Sequence, residues 1–111
     1  MISTEQIVNI ASYFTVIAHS PGRLRVRVNP KIKEEGGSIT LEDIESLPQK
    51  IEGINKIKIK KIIASVTIEY DPKVFSPSLW EDLINQRNLD EVTTLINNLA
   101  KEKNINSQVL L

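Results

Sequence analysis

Apolar and polar positions change period along this chain, and each change marks an element. From Arg23 to Val28 charged and apolar residues alternate without a break. A strand sends successive side chains to opposite faces, so Leu24, Val26 and Val28 share one face and Arg23, Arg25 and Arg27 the other. The Pro21-Gly22 pair in front of this run is a turn or bend signal. Alternation returns over Ile54 to Ile63, setting Ile57 and Ile59 against Lys56, Lys58 and Lys60. It returns again over Val66 to Tyr70, setting Val66, Ile68 and Tyr70 against Thr67 and Glu69. With Ala64-Ser65 as a short link, the two runs predict a β-hairpin that Asp71-Pro72 ends. Phe14 to His19 is β-branched and aromatic and fits a short strand leading into the bend.

Between these runs the apolar spacing is helical. Thr4 to Tyr13 predicts a short helix capped by Ser3 or Thr4, with Ile7, Ile10, Ala11 and Phe14 on one face. Thr40 and Asp43 stand in the capping-box positions ahead of Leu41, Ile44, Leu47 and Ile51, and Pro48 ends or kinks that helix near Leu47. Ser76-Pro77 is a helix start, followed by the stripe Leu79, Trp80, Leu83 and Ile84, with a break at Arg87-Asn88. Asp90 can cap a further helix over 90–103 with the stripe Val92, Leu95, Ile96 and Leu99. Lys31 to Ser38, with Glu34-Glu35-Gly36-Gly37, reads as a polar loop. Ile105 to Leu111 fits either a last strand or a docked tail, and pattern does not choose between them. The resulting order, βαββαβ with an extra helix at each end, predicts an α+β, ferredoxin-like sandwich: one domain over 1–111, an antiparallel sheet, helices on one face.

Charge adds a question to this picture. The 14 Lys+Arg and 14 Asp+Glu residues cancel, so no bulk attraction to nucleic acid or membrane follows. Patterning nevertheless separates the signs. The sheet face away from the helices would carry Arg23, Arg25, Arg27, Lys56, Lys58 and Lys60 against a single carboxylate, Glu69. Most acids, among them Glu42, Asp43, Glu45, Glu81, Asp82, Asp90 and Glu91, fall on the helices. Arginines two apart on a strand lie about 6–7 Å apart and repel unless anions answer them. The plain alternatives are that the terminal helices cover this face with their acids pairing the arginines, and that the lysine row guards an edge strand against aggregation.

Residue inventory narrows the chemistry. There is no cysteine, which removes disulfides, thiolate metal sites and cysteine catalysis together. His19 is the only imidazole, and the chain has one methionine. Zinc takes about four ligands and soft ions select thiolates, so the expectation is no metal site and no cofactor, with His19 a strand-end residue and hard cations at most weakly held by Glu34 and Glu35. No nucleophile is paired with a base and no Gly-rich phosphate loop follows a strand, so an enzyme is not expected. Trp80 reads as core. The N-terminal stretch lacks a basic leader region and no run is long enough to span a membrane, which suits a cytoplasmic protein.

The sequence His19-Ser20-Pro21-Gly22-Arg23-Leu24-Arg25-Val26-Arg27-Val28 resembles the opening strand of a variant group of heavy-metal-associated domains, H-x-x-P-G-R followed by alternating hydrophobic and Arg residues. Here only one residue separates His19 from Pro21. Gly53-Ile54 before a strand, Glu69-Tyr70-Asp71-Pro72 at a strand end and Ser78-Leu79-Trp80 at a helix start resemble the same group. The likeness runs from about His19 to Leu83. It implies a ferredoxin-like fold and an association with metal-transporting P-type ATPases or with iron-storing compartments, the ferrosomes. The CxxC pair of ordinary heavy-metal-associated domains is absent, so thiolate chaperoning of copper or zinc is not implied.

Three classes of function follow. The first is a non-catalytic adaptor or regulatory module of metal homeostasis. It would bind a protein partner, such as a metal-transporting P-type ATPase or a compartment-associated protein, or an anionic group, through Arg23, Arg25, Arg27, Lys56, Lys58 and Lys60. His19, Pro21 and Gly22 would complete the motif. Peripheral membrane association and homo-oligomer formation are compatible with this reading. The second is a nucleic-acid-binding sheet, ranked lower because the outward positions hold Arg, Lys, Thr and Glu but no aromatic for base stacking. The third is a purely structural or oligomerisation domain.

Overall fold

The structure is a computed structural model that describes residues 3–35 and 40–109. The elements in chain order are α1 (Thr4–Ala11), β1 (Phe14–Ser20), β2 (Arg23–Val28), α2 (Ile32–Glu35), α3 (Leu41–Glu45), α4 (Leu47–Lys50), β3 (Ile54–Lys60), β4 (Ser65–Tyr70), α5 (Pro77–Ile84) and α6 (Leu89–Val109). The fold is α+β, with a four-stranded antiparallel sheet in the order β1-β2-β4-β3.

The element order corrects the expected βαββαβ at one strand. Ile105 to Val109 continues α6, so it is neither a strand nor a separate tail, and Leu110 and Leu111 lie outside the described residues. The fourth strand comes instead from β1, which folds directly back on β2 through Pro21-Gly22. Gly22 has φ +91°, and its carbonyl accepts from the Tyr70 N–H at 3.0 Å. Proline followed by a positive-φ glycine is the residue order of a type II turn. The hairpin is therefore local, and the β-branched run Phe14–Ser20 needs no distant element to pair with.

Local chemistry sets the helix ends. Ser3 and Gln6 form a capping box at α1, Thr40 and Asp43 form one at α3, and Ser76 caps α5 with Pro77 in the first turn. Proline 48 has no N–H for the Ile44 carbonyl, and the predicted single helix is split into α3 and α4 around Ser46. Asp90 lies inside the first turn of α6 rather than at its cap, where its charge still suits the helix dipole. α1 ends at Ala11 rather than Tyr13, and α6 runs from Leu89 to Val109 rather than over 90–103. The predicted Lys31 to Ser38 loop contains the short α2, whose Ile32 packs against the core, while Gly36, Gly37 and Ser38 lie outside the described residues. The β3–β4 link is Lys61–Ala64, earlier than Ala64-Ser65, so Ile62 and Ile63 sit in the turn rather than in β3.

All the longer helices gather on one face of the sheet. There α5 and α6 pack together and on α1, α4 meets α6, and α3 and α4 lie against β3. The core between the layers holds Leu24, Val26, Val66 and Ile68 from the sheet, and Ile44, Leu47, Leu83, Val92 and Ile96 from the helices. Ile57 and Ile59 are partly buried at the edge. Phe75 stacks on Trp80 at 4.0 Å between ring centroids, and Tyr70 leans on both rings. Trp80 is core, as its position in the stripe predicts, with its indole Nε1 buried and without a partner. Gly53 has φ +93°, and a Cβ there would come within 2.8 Å of Val74 Cγ1, so the turn into β3 accepts only glycine without a shift.

Candidate cationic sheet face

The register fixes the open face residue by residue. Arg23, Arg25 and Arg27 on β2 pair with Glu69, Thr67 and Ser65 on β4. The same three β4 residues pair on their other side with Lys56, Lys58 and Lys60 of β3. Three rows result: Arg23–Glu69–Lys56, Arg25–Thr67–Lys58 and Arg27–Ser65–Lys60. Neighbouring strands lie about 4.8 Å apart and successive rows about 6.7 Å apart, so six cations occupy a patch roughly 10 by 14 Å. On the outer side of the arginines, β1 contributes Ser20, Ala18 and Thr15, all short. Beside these short residues Arg23 and Arg27 are exposed.

This arrangement answers the question raised by charge. Leu24 and Val26 have no solvent exposure, so the register puts the apolar row of β2 in the core and the arginine row outside. The terminal helices α1 and α6 belong to the helical layer and do not cover the arginines. Glu69 is exposed in the end row, and no ion pair forms between it and any of the six cations. Arg25, in the middle row, is partly buried; Arg23, Arg27 and the three lysines are exposed. The helical acids face away: α3 carries Glu42 and Asp43, α5 Glu81 and Asp82, α6 Asp90 and Glu91. A neutral chain thus presents opposite charge on its two sides. β3 is also an edge strand, so its lysines stand where they block edge-to-edge pairing.

The structure divides the motif residues. Pro21 and Gly22 make the turn. His19 pairs with Leu24 and points to the helical side, away from the arginines. Its Nε2 and the Tyr70 hydroxyl are 2.7 Å apart, and its Nδ1 lies 3.9 Å from Glu81 Oε1. Burial pushes the Tyr70 phenol above its ordinary pKa of 10.0, and the nearby Glu81 carboxylate adds to this, while a backbone hydrogen bond at Gly22 acts the other way. The hydroxyl and the ring nitrogen share one hydrogen bond, whose donor is set by the imidazole tautomer. His19 is therefore a hydrogen-bonded strand-end residue that ties β1 to β4, with Glu81 of α5 close by. Among the described residues no group of three His, Cys, Asp or Glu side chains could hold a metal ion.

A small apolar cavity of about 30 Å³ lies in the core, lined by residues including Ile10, Phe14, Ile44, Leu47, Trp80 and Ile96. Small-molecule sites run to several hundred Å³ with a few polar groups, so this is a packing gap rather than a ligand pocket. Sequence reasoning missed two features of the surface: the short side chains of β1 beside the arginines, and the exposed pair Ile62-Ile63. The second had a signal, because Lys60-Lys61-Ile62-Ile63 breaks the alternation of β3. No helix of the described residues is long and apolar enough to cross a membrane. Comparison with family models, with curated proteins and with solved structures finds no match to this chain.

Proposed function

We propose that this chain is a non-catalytic adaptor that binds an acidic protein partner through Arg23, Arg25, Arg27, Lys56, Lys58 and Lys60. The observation that carries the reading is the uncovered three-row cationic face, with one unpaired carboxylate among six cations. Arginine forks pair bidentately with carboxylates, and a flat sheet face holds them in fixed register, so the face suits a partner presenting several acids at strand-like spacing. The resemblance to CxxC-lacking heavy-metal-associated domains agrees with such a role beside a metal-transporting P-type ATPase or in a metal-storing compartment. In this reading the sheet is spatially ferredoxin-like: β1 fills the edge position that the expected final strand would take, beside β2 and antiparallel to it. The protein then acts in metal homeostasis without itself holding metal.

The test is binding of a labelled Glu-rich peptide by fluorescence anisotropy. Arg23→Gln with Arg25→Gln should weaken it at least several-fold, added salt should weaken the wild-type interaction, and thermal melts should barely move. A large fall in melting temperature with peptide binding unchanged would make the arginines structural. Tighter binding of a single-stranded RNA than of the peptide would favour the nucleic-acid reading, which the absence of aromatics on the open face opposes.

A second reading, self-association, has its own observation. Val16 and Ile17 are exposed on the edge strand β1, which carries no row of charges like that of β3. A bulge between Val16 and Ala18 interrupts that edge and limits strand addition. Light scattering would detect a dimer that Ile17→Lys disperses.

A further inference from the structure

The β3–β4 turn carries apolar side chains where the fold asks for none. Lys61–Ala64 forms the link, closed by the Ala64 N–H donating to the Lys61 carbonyl at 3.2 Å. Ile62 is 100% exposed and Ile63 49%. Polar residues serve such a turn at least as well, and neither isoleucine belongs to the core cluster or packs against it. Isolated exposed apolar residues are ordinary, but here two are adjacent in one hairpin turn.

Their surroundings are cationic. Lys60 and Lys61 precede them in the chain, and Arg27 sits in the end row with Ser65 and Lys60. The Val28 N–H donates to the Ala64 carbonyl at 2.8 Å, which holds the end of β2 against this turn. The chain leaving β2 then places Lys31 and Lys33 at the same end of the sheet, both exposed, with the acid Glu34 beside them. One fully exposed and one half-exposed isoleucine, with lysine and arginine beside them, match one kind of surface, in which anionic groups lie directly above an apolar layer. A bilayer containing acidic lipid provides this without a shaped pocket, and long cationic side chains reach headgroups while their stems stay in the apolar zone.

We propose that the β3–β4 tip docks on anionic membrane surfaces. Ile62 and Ile63 enter the boundary between headgroups and acyl chains, and Lys60, Lys61 and Arg27 pair with lipid phosphates. The site shares Arg27 and Lys60 with the end row of the open face, leaves out the Arg23 and Arg25 rows, and stands without the reading of that face. Docking by the tip would leave those rows clear of the bilayer and free for a partner held beside it.

Co-sedimentation with vesicles tests this. The wild-type chain should bind phosphatidylcholine vesicles containing phosphatidylserine and leave pure phosphatidylcholine vesicles unbound. Ile62→Ser with Ile63→Ser should weaken binding about tenfold or more, from the apolar area withheld from the bilayer. Lys61→Gln should weaken it about fivefold, the typical value of one basic side chain near an acidic leaflet. Arg23→Gln, at the far end of the sheet, should change it less than about twofold, since that distance exceeds the Debye length of about 8–10 Å. Excess inorganic phosphate, matched in ionic strength by chloride, should not release the protein beyond what chloride does. No binding to the acidic vesicles overturns the proposal. So does binding that the isoleucine pair does not affect, or a dimer dispersed by the same pair in a chain that ignores vesicles. Acidic-peptide binding is lost through Arg23 and Arg25 and vesicle binding through Ile62 and Ile63, so the two readings fail separately.

Discussion

The two faces of β2 are made by the same six residues and have opposite fates. Leu24 and Val26 are fully buried under the helices, while Arg23 and Arg27, one residue away, stand in solvent. The strand itself does not distinguish the two sides; the helical layer does. On the covered side Leu24 and Val26 are held by packing against the helices, while on the open side Arg23 and Arg27 are exposed and Arg25 is only partly covered. The covered face therefore carries stability, and the open face can vary in chemistry at little cost to the fold.

Substitutions can break this contrast or sharpen it. The largest effect is expected at Leu24→Ala, which leaves a cavity under the helices and should cost about 3 kcal/mol in denaturant unfolding. Gly53→Ala, at the rim where β3 begins, combines a positive φ with a 2.8 Å approach to Val74 and should cost about 2 kcal/mol by the same measurement. Thr40→Ala removes half of a capping box on the helical layer and should cost about 1 kcal/mol. The same box sets an acid limb. The backbone N–H of Thr40 holds the Asp43 carboxyl below its ordinary 3.8, so its stabilising contribution is present above that value and lost as pH falls through the lowered one. Asp43→Asn should flatten this limb in acid titrations followed by circular dichroism. The smallest effect belongs to the open face: Arg25→Gln should shift stability by no more than about 0.5 kcal/mol. A loss at Arg25 as large as that at Leu24 would erase the distinction between the faces.

Much of this contrast was legible in the sequence, and the reasons are local. Strict alternation assigns Leu24 and Val26 to one face and the arginines to the other whatever the fold, because strand period is fixed by backbone geometry. The capping residues Thr40 and Ser76 likewise act within one turn of chain. The identity of the fourth strand was less legible. Phe14 to His19 and Ile105 to Leu111 both have strand-compatible composition, and the choice depends on which of them a short turn brings beside β2. Pro21-Gly22 decides it for the first, while the last helix runs on through Val109. Apolar character assigns Ile62 and Ile63 to β3 and so sets the turn too late, whereas at Lys61–Ala64 Ile62 is fully exposed and Ile63 half-exposed. The face itself followed from register, but its lack of cover did not, since only tertiary packing shows where α1 and α6 lie.

The local closure of β1 on β2 also bears on how fast the molecule assembles. Two of the three strand seams, β1–β2 and β3–β4, join neighbours in the chain through short turns. Only β2–β4 must be found across a long stretch of chain, so the search is reduced to docking two preformed hairpins along one line. Hairpins close in about 1–10 μs, whereas long-range pairing waits on loop closure. Weakening that seam, as with Val66→Ala, should slow refolding in stopped-flow experiments, while changes along the outer edge of β1 should chiefly speed unfolding. The bond from the Val28 N–H to the Ala64 carbonyl lies at one end of the seam, and zippering from there would run towards Gly22 and Tyr70.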